Sequence, residues 1–284
     1  MSSEHSVSVH PTIYRTYTPQ PPLAAFVESF WLYEGYNPPH AKERRLPDGS
    51  MELVINLRED AIRLYDSQQH DQFRSVRGCV ISGMQTKYVV LDTTDQASMM
   101  GIHFKAGGAF PFLDLPASEL RDETVSLDEI WGATVNELRD QLREAQIPEI
   151  RFHMLEQALL AQIVRPLARH PAVTFALNEF QNTTHTRTIA DVTGQIGLSS
   201  RRFISIFNKE VGLTPKLFCR IRRFQEALKC INGGKQIDWA DIALTRGYFD
   251  QAHFIHEFQM FSGFNPGAYL LHRGEHPNHV PLPD

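Results

Sequence analysis

The chain has 284 residues, 42% hydrophobic and 21% charged, with a net charge of −5 and three cysteines. That length exceeds what one core usually serves, so two domains are predicted. No run approaches the ~18 consecutive apolar residues of a membrane span, and the polar start MSSEHSVSVHPTIYRTYTPQPP lacks the apolar centre of a secretory signal. A cytoplasmic protein with no membrane partner is therefore expected. Cys79, Cys219 and Cys230 are odd in number and lack metal-type spacing, which fits reduced structural cysteines and predicts neither metal nor cofactor. The charge divides unevenly: residues 1–180 carry a net −8, residues 181–273 a net +5 and residues 274–284 a net −2. An acidic module thus precedes a basic one, and only the basic one suits a nucleic-acid partner.

In chain order, strands are predicted at Met51–Leu57, Ala61–Tyr65, Tyr88–Asp92 and Met99–Phe104, with turns at Asp48-Gly49 and Gly107-Gly108. Short strands with such punctuation predict a small β-barrel or sandwich. Helices follow over about 127–145 and 149–169. In the second, Phe152, Leu155, Leu159 and Ile163 form a stripe suited to the domain core or to a dimer partner helix. Arg169-His-Pro171 marks the boundary, giving an N-terminal domain over 1–170, a second domain over 171–273 and a disordered tail over 274–284. The fold class is α+β: a barrel-like or sandwich-like domain with helices, then an all-α domain.

The second domain contains a repeat. Phe203, Phe207, Gly212, Pro215 and Phe218 recur 51 residues later as Phe254, Phe258, Gly263, Pro266 and Tyr269. Ala190-Asp191-Val192 and Gly197 recur 50 residues later as Ala240-Asp241-Ile242 and Gly247. The one-residue slip falls in a turn, where an insertion is tolerated best. Each unit predicts helix, tight turn, helix. Thr188 and Asp238 start the first helices, Gly197 and Gly247 break them, and Ser199 and Asp250 cap the second helices through their side chains. Gly212 and Gly263 stop those, and Thr214-Pro215 and Asn265-Pro266 start the next. Two helices joined by a short glycine-containing turn are the architecture of a DNA-binding helix-turn-helix.

At 100° per residue, Phe203 and Phe207 pointing inward leave Arg201, Ser205 and Asn208 facing out, with Arg202 and Lys209 at the flanks. Likewise Phe254 and Phe258 leave Ala252, His256 and Gln259 outside, flanked by Gln251 and His253. Arginine forks onto guanine and glutamine onto adenine, so Arg201 and Gln251 suit base reading. Ile204 sits at the edge of that face, where packing on the neighbouring helix is favoured over contact with a thymine methyl. A long helix, Pro215–Ile231, separates the units and carries Arg220, Arg222 and Arg223, suited either to phosphates or to salt bridges.

The stretch Gly247-Tyr-Phe-Asp-Gln-Ala-His-Phe-Ile-His-Glu-Phe258 with Gly263-Phe-Asn-Pro266 and Tyr269, and its partner Gly197-Leu-Ser199 through Gly212-Leu-Thr-Pro215, closely resembles the AraC-type bacterial transcription regulators. The resemblance covers residues 185–272. It implies seven helices with one long helix holding two helix-turn-helix units apart. It also implies base contacts at Arg201, Ile204, Ser205, Gln251, Ala252 and His256. Ala252 departs from the pattern, being too short to hydrogen-bond a base. Backbone or flanking contacts fall to Ser199, Ser200, Arg202, Lys209, Arg220 and His253. Arg45–Leu57 and Gly101–Gly108 are similar to sensor-like domains fused to such regulators.

The partners implied are double-stranded promoter DNA, a small-molecule effector, a second copy of the chain in a homodimer and, for an activator, RNA polymerase. Asp48, Glu52 and His103 are weak candidates for an effector pocket, because a turn and a solvent-facing strand position explain Asp48 and Glu52 equally well. His253-x-x-His256-Glu257 does not have the order of a zinc-protease motif, so no metal is assigned there. No catalytic signature appears, and an enzyme is not expected. The alternative is an enzyme of the alkylation-repair kind whose C-terminal part only targets DNA; Cys79 is its one N-terminal nucleophile.

Overall fold

A computed structural model of the chain describes residues 12–66, 69–182, 188–233, 237–274 and 276–282. One antiparallel sheet runs in the order β1 (Ile13–Tyr17), β2 (Val27–Glu34), β9 (Ser98–Phe104), β4 (Glu52–Asn56), β7 (Cys79–Ser82), β10 (Thr124–Ser126). The other runs β11 (His279–Pro281), β3 (Lys42–Arg45), β8 (Val89–Asp92), β5 (Ala61–Tyr65), β6 (Phe73–Arg77). The sheets stay separate, so the sandwich expectation holds and the closed barrel does not. The four predicted strands appear as β4, β5, β8 and β9. The remaining strands alternate imperfectly: β6 exposes nearly every residue while β7 buries all four.

The helix expected over 127–145 is two, α1 (Asp128–Trp131) and α2 (Thr134–Glu144), split at Gly132, whose φ is 75°. The helix expected to reach 169 ends early, as α3 (Pro148–Ala161). Beyond it the Val164 and Arg165 N–H groups donate to Pro111 O, and Pro166 disfavours helical geometry in the residue before it. Ile163 therefore leaves the stripe and is 38% exposed, whereas Phe152, Leu155 and Leu159 are buried. That stripe belongs to the core: Arg151 ties α3 to Leu142 O of α2 at 2.9 Å and to Glu34 of β2 at 2.7 Å.

The helical part comprises α4 (Pro171–Asn182), α5 (Ile189–Gln195), α6 (Ser200–Val211), α7 (Pro215–Asn232), α8 (Trp239–Thr245), α9 (Gln251–Ser262) and α10 (Pro266–His272). Its core is continuous with that of the strand-rich part. Arg121 donates to Gly212 O at 3.0 Å, Gln225 donates to Pro47 O at 2.8 Å, and the Arg44 guanidinium lies between the Tyr88 and Phe264 rings. No helix among the described residues is long and apolar enough to cross a membrane.

The tail expected to be disordered instead returns to the sheets. β11 pairs with β3, setting His279 opposite Arg45 and Pro281 opposite Glu43, with Val280 fully buried between them. Tyr269 donates its hydroxyl to Pro277 O at 2.9 Å, and His279 Nδ1 lies 2.7 Å from Glu43. The sequence signal was weak because a three-residue strand that itself ends in proline has no periodicity; the pairing comes from an edge supplied more than 230 residues earlier.

Candidate nucleic-acid interface and effector cavity

Local chemistry builds the two helical units as expected. Thr188 and Asp191 form a reciprocal capping box on α5. Ser199 accepts the Arg202 N–H to start α6, and Asp250 accepts the His253 N–H to start α9. Gly212 and Gly263 end those helices at φ 90° and 72°, left-handed values that a side chain would strain. The repeat in sequence is also a repeat of ring geometry. Phe203–Phe207 and Phe254–Phe258 both sit 5.7 Å apart, edge-on. Phe207–Phe218 and Phe258–Tyr269 match in turn at 5.7 and 5.5 Å. Each second helix is thus pinned on the same face by the same contacts, and the opposite face is left outward.

On that face Arg201, Ser205, Gln251, Ala252 and His256 are exposed, as are Ser199, Ser200, Arg202 and Lys209 at the flanks. Ile204, expected to pack on a neighbouring helix, is 41% exposed, because Phe203 and Phe207 already fill the inward side. Asn208 is only half-buried and meets the N-terminal domain through Arg121. Arg220 is not presented freely: its Nε donates to Glu257 at 2.6 Å, while Arg223 donates to the other carboxylate oxygen at 2.8 Å. His253 is also engaged, 3.4 Å from Glu257 and accepting the Phe249 N–H. Although burial opposes it, the two guanidiniums hold the Glu257 carboxyl below its ordinary value. Glu257 was missed in the sequence because it lies one position from the inward Phe258, where only the crossing of α7 supplies its partners.

A cavity of about 440 Å³ lies between the two sheets. Strand register sets its floor in rows. Ser29, His103, Glu52 and Ser82 form one row, and Trp31, Gly101, Val54 and Val80 the next. Gly101 leaves room for the indole: a Cβ there would fall 2.7 Å from Trp31. Tyr14 and Tyr33, 5.3 Å apart, and His276 of the tail add aromatic wall. Asp48, Glu52 and His103 all line this cavity. Glu52 faces inward instead of toward solvent, because the second sheet covers that side of β4.

These residues form one cluster around Arg45. Arg45 Nη2 is 2.6 Å from Glu52 and 3.6 Å from Asp48, and His103 is 3.8 and 3.7 Å from the same two carboxylates. Burial pushes the Glu52 carboxyl up, but Arg45 and His103 outweigh it and hold it at about 2. Burial disfavours charge on His103, yet Glu52 and Asp48 keep its pKa above the ordinary imidazole value. Cys79, by contrast, is buried beneath the sheet, and burial pushes its thiol up to about 12. It is a poor nucleophile at neutral pH.

Residues 192–272 match a family model described as a helix-turn-helix domain. This chain carries a helix-turn-helix domain, over the stretch that resembles the AraC-type regulators. Residues 15–126 match a second family model, a domain of unknown function (DUF6597), so the helix-turn-helix domain is joined to a distinct strand-rich module. An uncharacterized HTH-type transcriptional regulator of Haemophilus influenzae is 28% identical over 134 residues, which cover 46% of this chain and 44% of that protein. The match therefore spans less than half of that relative's length. A solved apo structure of a ToxT variant from Vibrio cholerae is 12% identical, covering 85% of this chain and 97% of that one, with a TM-score of 0.45. Wild-type ToxT bound to an unsaturated fatty acid is 11% identical, covering 82% and 91%, with a TM-score of 0.45.

Proposed function

We propose that the chain is a sequence-specific transcription regulator that reads promoter DNA through α6 and α9 and is controlled by a small molecule held between the two sheets. The observation that carries the DNA reading is the doubled geometry. Two capped helices, pinned by matching aromatic pairs, present Arg201, Ile204 and Ser205 on one and Gln251, Ala252 and His256 on the other. Arg201 is assigned to guanine, Gln251 to adenine, and Ile204 to a thymine methyl. Ser199, Ser200, Arg202 and Lys209 take the backbone; His253 and Arg220 serve chiefly to hold the fold. The division at Pro171, where α4 opens, is part of this reading. So are a homodimer on DNA and, where transcription rises, contact with RNA polymerase.

Control through the cavity is supported by its construction. His276, Asn278 and His279, which follow α10, line it together with residues of both sheets. A ligand there touches the chain segment that leaves the helix-turn-helix domain, so occupancy has a short physical route to α10. The test is selection of genomic DNA fragments by the full chain across a salt series. A motif of two blocks about one helical turn apart supports the tandem reader. Salt-dependent binding without a motif removes Arg201 and Gln251 from base reading, and no binding at all overturns the proposal.

A further inference from the structure

We propose that the inter-sheet cavity binds a small organic cation, its ammonium group against Glu52 and its apolar body laid along Trp31 toward Tyr14 and Tyr33. This rests on the reading of the cavity as an effector site and adds the ligand's charge. Among the described residues five carboxylates line the space, Glu43, Asp48, Glu52, Asp92 and Asp95, against the guanidinium of Arg45 and the imidazoles of His103, His276 and His279. Arg45 and His103 both lie against Glu52 and Asp48, so among the described residues an anionic ligand would find no free positive partner there.

The other acids are also accounted for, which narrows the subsite. Asp92 and Asp95 are paired with Arg63 at 3.2 and 2.8 Å. Glu43 accepts from Gln96, Tyr36 and His279. Glu52 differs: Arg45 sits on its Oε2, while among the described residues its Oε1 has only His103, at 3.8 Å, too far for a strong hydrogen bond. A carboxylate oxygen short of partners beside an aromatic wall is the arrangement that favours a cation, since ring faces attract positive charge. The wall is substantial, with Tyr33 5.0 Å from Tyr36 and His276 within 6.5 Å of both Tyr14 and Tyr33. Trp31 contributes a further constraint. Its Nε1–H is buried with no hydrogen-bond partner among the described residues, so the ligand also carries an acceptor such as a hydroxyl.

The full chain is titrated calorimetrically with two cations, tyramine and choline, and with tyrosol and hydroxyphenylacetate, which keep tyramine's ring but are neutral and anionic. At least one cation should bind, with tyrosol at least about tenfold weaker and hydroxyphenylacetate undetected at millimolar concentration. Glu52→Gln should weaken the cation at least about tenfold. Trp31→Leu, which leaves the ion-pair cluster intact, provides a second variant if Glu52→Gln does not fold. Tighter or equal binding of tyrosol or hydroxyphenylacetate, lost in Trp31→Leu, overturns the cation but leaves the effector cavity standing. No binding by any probe, with DNA recognition intact, overturns both the cation and the effector cavity while the DNA reading survives.

Discussion

Replacing Glu257 by glutamine tests whether Arg220 and Arg223 hold the fold or meet DNA. The carboxylate is 5% exposed and accepts from Arg220 of α7 at 2.6 Å and from Arg223 at 2.8 Å, joining the long helix to α9. Hydrogen bonds to charged groups contribute about 1.5–3 kcal/mol each. Arg220 is 29% exposed and can be rehydrated, and Arg223 keeps a 2.9 Å bond to Gly247 O, so the full loss of both is not reached. Glu257→Gln should cost about 2–4 kcal/mol in urea denaturation of the full chain, and Arg220→Ala about 1–2 kcal/mol. In the double variant the two losses should fall short of additivity, because they remove one shared contact. On selected DNA, Arg220→Ala should leave the slope of log affinity against log salt unchanged. A slope shallower by about 0.9 would mean that Arg220 neutralises a phosphate. That result, with no loss of stability, would refute the reasoning.

Arg201→Ala should cost about 1–3 kcal/mol on the selected site and relax preference at one base pair, measured by gel shift on site variants. Equal losses on specific and random DNA would remove its base-reading role. Glu43 should make the tail acid-sensitive. Burial raises its carboxyl, but bonds from His279, Gln96 and Tyr36 hold it at about 2 against an ordinary 4.5. Because the folded value is depressed, its contribution is complete above 4.5 and is lost as pH falls toward 2. That loss is on the order of 3 kcal/mol, and Glu43→Gln should flatten the stability profile across this window. An unchanged profile in the variant would disconnect Glu43 from the acid response.

The doubled helix-turn-helix was legible in the chain because its determinants are local. Caps at Thr188, Ser199, Asp250 and Asn265, stops at Gly212 and Gly263, and a 51-residue aromatic repeat each act within a few residues of themselves. Helical periodicity then fixes which side of α6 faces out. It could not decide what else touches that face, and so Asn208 proved to meet Arg121, and Arg220 to meet Glu257. In the strand-rich part, four strands announced themselves by composition, and the rest depended on pairing partners far away in sequence.

The residues themselves determined the order of modules, the caps, the inward aromatic faces and the outward position of Arg201 and His256, since helix periodicity and capping are short-range. Only the tertiary structure decided that Asp48, Glu52 and His103 surround Arg45, that Glu52 faces a second sheet, and that residues 276–279 line the cavity. Alternation along a strand tells which residues share a face. What covers that face is set by strands and a tail brought together across the whole chain, and burial and charge pairing act only after that assembly.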